Sequence, residues 1–157
     1  MAGLSVLLAG AIFGFFYAWV CSTMWGLDAA DPRTAIEAMQ AMNASVRNAV
    51  FFPAFFLTPV ALLTTAALAR ASDQRRAAEL LAMAAAVYVV GAFLVTMAVN
   101  VTMNDQLAAV VVPNTVDAAA TIWSDYSIPW QRWNVVRTIA GGITLLLAAR
   151  GFSGLDR

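Results

Sequence analysis

An all-α integral membrane bundle with four spanning helices is the fold this sequence predicts. Three observations predict it. Of 157 residues, 62% are hydrophobic and 11% are charged, an apolar share above that of a soluble domain. The charges are bunched between long apolar runs. Those runs match the roughly 20 residues that cross a hydrocarbon core about 30 Å thick, with spans expected near residues 3–27, 48–70, 79–104 and 131–151 of one domain covering 1–157. The expected location is the cell (cytoplasmic) membrane, as a multi-pass protein whose first partner is the lipid bilayer.

Composition also excludes. The net charge is zero, so no nucleic-acid partner is expected. There is no histidine and one cysteine, Cys21. Disulfides within the chain, Cys/His zinc sites, histidine bases and haem held by histidine are thereby excluded. No cluster of carboxylates, amides or thioethers stands out, so neither metal nor other cofactor is expected.

The first run, Ala2 to Leu27, carries no charge. It lacks the basic start and small-residue cleavage pattern of a signal peptide, so it is expected to be retained. Gly10, Gly14 and Ala18 recur every fourth position and form a small-residue face suited to another helix, within the chain or in a homo-oligomer. Trp25 falls near the far end, at interfacial height.

Asp28 to Asn48 is polar enough to leave the hydrocarbon. Asp31 can cap a helix and Pro32 suits its first turn. Ile36, Met39, Met42 and Val46 then follow at helical spacing, with Gln40, Asn43 and Arg47 on a neighbouring stripe. This extracytoplasmic helix is expected to run into the second span, which Pro53 and Pro59 should bend. Bends of that kind persist in membranes when neighbours satisfy the freed carbonyls.

Arg70 to Arg76 is a short loop with three arginines, cytoplasmic by the positive-inside rule. Arg150 and Arg157 place the C-terminus on the same side, so both termini are expected to be cytoplasmic. The third span ends with Thr96, Asn100 and Asn104, four apart on one face. A longer loop is expected from Asn104 to Trp130, with a short helix over 117–126. Its Trp123, Tyr126 and Trp130, with Trp133 beyond, read as an interfacial belt.

The last apolar run, Thr138 to Ala149, covers only roughly 18 Å and must draw on earlier residues to span. Arg137 then sits about 20 Å from Arg150 along the axis, inside the hydrocarbon. An arginine there costs at least about 2.5–3.5 kcal/mol unless it is paired or faces a cavity. Trp25, Asn43, Arg47, Asn48, Asn100, Asn104, Asn134 and Arg137 share this end of the bundle and come from all four spans. A polar cavity satisfies them together. Structural readings stand beside it: asparagines bonding helix to helix, tryptophans anchoring at the interface, and Arg137 pairing with Asp105, Glu37 or helix carbonyls.

Three stretches carry a resemblance. Met39-Gln40-Ala41-Met42-Asn43, Asn100-Val101-Thr102-Met103-Asn104 with Leu107, and Trp130-Gln131-Arg132-Trp133-Asn134-Val135-Val136-Arg137-Thr138 resemble the anthrone oxygenase-like family of small four-helix membrane proteins, over essentially the whole chain. The resemblance implies a membrane-embedded protein that oxidises anthrones to anthraquinones with molecular oxygen, without metal or flavin. Relatives often carry a histidine that this chain lacks.

Such a reaction removes a proton beside an aromatic ketone and gives an enolate that passes an electron to oxygen. Arg137, Asn100, Asn104 and Asn134 are the candidate catalytic residues, as donors to the enolate oxygen. Trp25, Asn43, Arg47, Trp130 and Trp133 are the candidate substrate contacts. Glu37 and Asp105 are the only nearby carboxylates for a general base, and either would need a pKa raised by burial. Two other classes fit the same pocket or surface. One is a non-catalytic protein that binds or transports a lipophilic small molecule. The other is an accessory subunit of a larger membrane complex.

Overall fold

The computed structural model describes residues 1–155; Arg157, expected above to mark the cytoplasmic side, lies outside the described residues. Every regular element among the described residues is helical. We label them α1 (Ala2–Asp28), α2 (Pro32–Ser45), α3 (Phe51–Ala71), α4 (Arg75–Ala108) and α5 (Val116–Ser153). All but α2 are long and apolar enough to cross a membrane. They form an up-and-down ring in which α1 packs on α3 and α5, and α4 packs on the same two helices.

Small residues set the tightest approaches. A Cβ on Gly91 would come within 2.5 Å of the Ala140 side chain, and one on Gly151 within 2.8 Å of Leu81. These contacts close α4 on α5. The glycine face of α1 is looser: a Cβ on Gly10 would meet Leu145 at 3.8 Å, and one on Gly14 would meet nothing within 4 Å.

The core has three tiers. Near the Arg70–Arg76 loop, alanines and leucines of α3, α4 and α5 interlock around Leu62, Leu81 and Ala148. The middle tier holds Ile12, Phe16, Phe55, Tyr88 and Ala92. At the far end α2 lies across α4 and α5, burying Ile36 and Met39 against Met24, Leu107, Trp123 and Trp130. Asp31 caps α2 by accepting from the Arg33 N–H at 2.9 Å, and Pro32 occupies its first turn. Gln40 Nε2 donates to the Leu107 and Val110 carbonyls at 2.8 and 2.9 Å. It thereby fastens α2 to the end of α4, whose last carbonyls have no helical partner.

Several expectations need correction. The helix before the second span does not run into it. The chain turns between Ser45 and Phe51, and Asn48 Oδ1 accepts from the N–H groups of Val50 and Phe51. That carboxamide caps α3, which is why a break forms there. Pro53 falls in the first turn of α3, where its missing N–H costs nothing. Only Pro59 lies in the helix interior. It leaves the Phe55 carbonyl without its usual donor, and the Tyr88 hydroxyl of α4 donates to that oxygen at 2.7 Å.

The long loop before the fourth span is also absent. α4 continues to Ala108, and α5 begins at Val116 and runs unbroken through Pro129. Pro129 frees only the carbonyl of Asp125, an exposed residue. At about 1.5 Å per residue α5 is roughly 57 Å long, so its first part stands outside a 30 Å core beside α2.

Wide π-helical turns occupy Trp19–Thr23 in α1 and Tyr88–Leu94 and Thr96–Asn100 in α4. α3 packs closely on α4 over Arg75–Val87. The packing thins over Tyr88–Leu94 and does not continue comparably beyond it. The two helices therefore part toward the α2 end.

The bond from Tyr88 gives a test. Tyr88→Phe should lower stability in detergent by about 1–3 kcal/mol, because it orphans a buried carbonyl. In a Pro59→Ala background the restored N–H reclaims that carbonyl, so the same substitution should cost clearly less in a thermal-unfolding cycle.

Candidate functional site

The parting of α3 and α4 leaves a cavity of about 280 Å³ to which all five helices contribute. Its walls are mostly aromatic. α1 supplies Phe15, Phe16 and Trp19, and α3 supplies Phe51, Phe52, Phe55 and Phe56. α2 and the turn after it add Met42, Asn43, Val46 and Arg47. α4 adds Thr96, Met97, Val101 and Asn104, and α5 adds Trp130 and Arg137. The phenylalanines pack on one another, with the Phe51 and Phe55 rings stacked at 5.4 Å and Phe55 and Phe93 at 5.2 Å.

Arg137 is the centre of charge. It is 5% exposed. One terminal nitrogen donates to Asn134 Oδ1 at 2.8 Å and the other to Thr96 Oγ1 at 3.3 Å. Its guanidinium carbon stands 4.7 Å from the Phe16 ring centroid and 5.1 Å from that of Trp130. Its Nε has no partner. Aromatic faces attract the cation by about 0.5–2 kcal/mol each, but no carboxylate bonds to it among the described residues. The expected pairing with Asp105 or Glu37 does not occur. Asp105 instead pairs with Arg47, both about half-exposed, and Glu37 is exposed on α2. Neither carboxylate lines the cavity.

Neighbouring side chains fix the guanidinium from behind. Asn134 Nδ2 donates to the Phe16 carbonyl of α1 at 3.1 Å, which aims its oxygen at Arg137. The Thr96 hydroxyl donates to the Ala92 carbonyl at 2.7 Å, so its lone pairs remain for Arg137. Above them, Asn104 Oδ1 accepts from Tyr126 at 2.8 Å and from Trp130 Nε1 at 2.9 Å. An indole N–H only donates, so that amide is oriented unambiguously. Asn43 Nδ2 reaches the Tyr126 hydroxyl at 3.4 Å.

The residues singled out from sequence divide four ways. Arg137, Asn104, Asn43, Arg47 and Trp130 are brought together in the lining. Asn134 stands behind the wall as the support of Arg137. Asn100 is 1% exposed, with neither amide atom hydrogen-bonded, and is not part of the lining. Trp25 and Trp133 are not brought to the cavity: they are 65% and 41% exposed and point away from it. Trp19 takes the place expected for Trp25. Trp19 lies one turn after Phe15 on the lining face of α1, where the ordinary helical repeat puts it.

Two features were missed. The phenylalanine wall carried a signal, since Phe51 and Phe55, and Phe52 and Phe56, are each one turn apart. Asp28 carried none. It closes α1 onto α5 by accepting from Trp123 Nε1 at 2.9 Å, Ser127 Oγ at 2.7 Å and Gln131 Nε2 at 2.8 Å. Trp123 is thus a buried clamp on Asp28 rather than an interfacial anchor. No group of three or more His, Cys, Asp or Glu side chains comes together among the described residues.

A family model described as "Anthrone oxygenase" matches residues 41–147, from the middle of α2 to the last turns of α5. No curated protein and no solved structure matches the chain.

Asn134→Leu should lower stability by about 2–3 kcal/mol, since it removes one bond to a charged group and one to a buried carbonyl. Trp25→Ala and Trp133→Ala should each stay within about 0.5 kcal/mol of the parent in the same unfolding measurement.

Proposed function

We propose, from the premise that this chain belongs to the anthrone oxygenase family, that it is a membrane-embedded, cofactor-independent oxygenase-like enzyme. Its substrate is a lipophilic aromatic ketone of the anthrone type, bound in the cavity at the α2 end of the bundle. The supporting observation is Arg137: a guanidinium 5% exposed, without a carboxylate, set in an aromatic-walled cavity. A buried cation in that state lacks the counter-charge that normally offsets its desolvation. A ligand that develops negative charge on oxygen supplies it.

The chemistry follows from that charge. The flat substrate lies among the phenylalanine and tryptophan walls with its carbonyl oxygen toward Arg137. Loss of a proton from the methylene beside the ring system moves negative charge onto that oxygen. Donors already aimed at the place where charge develops accelerate such a step more than they tighten ground-state binding. The electron-rich enolate then passes an electron to molecular oxygen, and the two radicals join to form a carbon–peroxide bond at the former methylene. Cleavage of the O–O bond with loss of the second methylene hydrogen releases water and leaves the new quinone carbonyl. No carboxylate lines the cavity, so the proton leaves toward water at the Arg47 rim, where Asp105 is held by its ion pair. Arg137 touches the reacting oxygen. Asn134 and Thr96 position Arg137, Asn104 and Trp130 frame the polar end, and Asn43 and Arg47 form the rim.

Purified protein in detergent should consume oxygen with an anthrone and release the anthraquinone. Arg137→Gln should lower kcat/KM by about 10²–10³, the usual effect of removing one oxyanion donor, while Trp133→Ala retains activity. Equal oxygen uptake by parent, Arg137→Gln and empty detergent would exclude this activity for those substrates.

A further inference from the structure

The cavity is fastened at its polar end, where the half-exposed Arg47 rim still meets water, and is left open toward lipid. On its polar side α2 is folded over the end of α4 and held there by Gln40 on the Leu107 carbonyl of α4 and the Val110 carbonyl just after it. The Arg47–Asp105 ion pair bridges the turn after α2 to α4. On its lateral side α3 and α4 diverge beyond Val87, and Phe93 of α4 against Phe55 and Phe56 of α3 forms the floor of the gap. The lips of that gap are Phe52 and Phe56 on α3 and Met97 on α4, which both line the cavity and lie 42%, 43% and 44% exposed. Phe52 and Phe56 fall within the first turns of a spanning helix, roughly 1.5 and 7.5 Å from its start, so an apolar opening at that height faces acyl chains near the headgroup boundary.

We infer that the gap between α3 and α4 is a lateral portal, through which a flat, uncharged, lipid-dissolved aromatic molecule enters from the bilayer. Water-soluble conjugates of the same ring system are excluded, because neither the gap nor the tied polar end offers them a path. This rests on the reading of the cavity as a site for a lipophilic aromatic substrate. Phe52, Phe56 and Met97 are then access and specificity residues with no part in the chemistry. A thioether and two ring edges suit that task, since they part and close around flat ligands without leaving a polar group unpaired.

Two measurements in phosphatidylcholine proteoliposomes separate the portal from the function. The first follows stopped-flow quenching of tryptophan fluorescence by 1,8-dihydroxyanthraquinone, since Trp19 and Trp130 stand in the cavity wall. Truncating a lip, by Phe56→Ala or independently Met97→Ala, should raise association and dissociation rates together by at least about threefold, with Kd changing by less than either rate, as expected when the main effect is on a barrier. Gln40→Ala, which loosens the polar end without touching the lining, should leave both rates alone. Rates that respond to Gln40→Ala and not to either lip variant would overturn the portal. The second measurement needs no ligand. Lipid brominated on its acyl chains near the headgroup should quench tryptophan more strongly in the lip variants than in the parent, as chains reach Trp19 and Trp130. Unchanged quenching in both variants would overturn the portal. A dye that fails to quench the parent would instead count against the functional reading.

Discussion

A guanidinium placed at membrane depth without a carboxylate is the constraint on which the rest of this structure depends. Isolated charge in an apolar medium is among the most costly things a fold can contain. Arg137 is held by an amide oxygen, a hydroxyl and two aromatic faces. Each is neutral. Together they orient the cation without cancelling it. A carboxylate at the same place would stabilise the resting protein and remove the attraction for an incoming oxyanion. At the rim, Asp105 is engaged by Arg47 instead.

The architecture delivers that arrangement through its helix lengths and irregular turns. α5 is long enough to carry Arg137 in the hydrocarbon and Trp123, Tyr126 and Trp130 in a second small core outside it. Asp28 and Gln40 lock this outer tier to α1 and α4. With the outer end fastened, α3 and α4 can separate at the cavity without the bundle losing its order. The π-helical turns at Trp19–Thr23 and Thr96–Asn100 lie beside this cavity, and the first residue of each, Trp19 and Thr96, is in its lining.

Much of this was legible in the sequence, for identifiable reasons. Length and apolar content fix the number of spans. Counting residues from charged ends places Arg137, Asn100, Asn104 and Asn134 at one height, because helical rise is nearly constant. Rotation about the helix axis is less secure. Trp19 rather than Trp25 continues the Phe15–Phe16 face of α1, and Trp133 faces outward where Trp130 faces in. The run from Asn104 to Trp130 looked like a loop because it mixes polar and aromatic residues with two prolines. Its polar groups are in fact satisfied by other helices, as Asp28 and Asn104 show. Carbonyl repair at Pro59 could be anticipated in kind, but only coordinates identify Tyr88 as the donor.

The charge state of a bound hydroxyanthraquinone reports directly on whether Arg137 is a cation awaiting an oxyanion. Its visible absorption differs between the neutral phenol and the phenolate, so the bound spectrum can be recorded at a pH below the ionisation of the free dye. With Arg137 intact the bound dye should show the phenolate spectrum, and with Arg137→Gln the neutral one. A neutral spectrum in the parent, with affinity unchanged in the variant, would contradict a cavity organised around an uncompensated guanidinium.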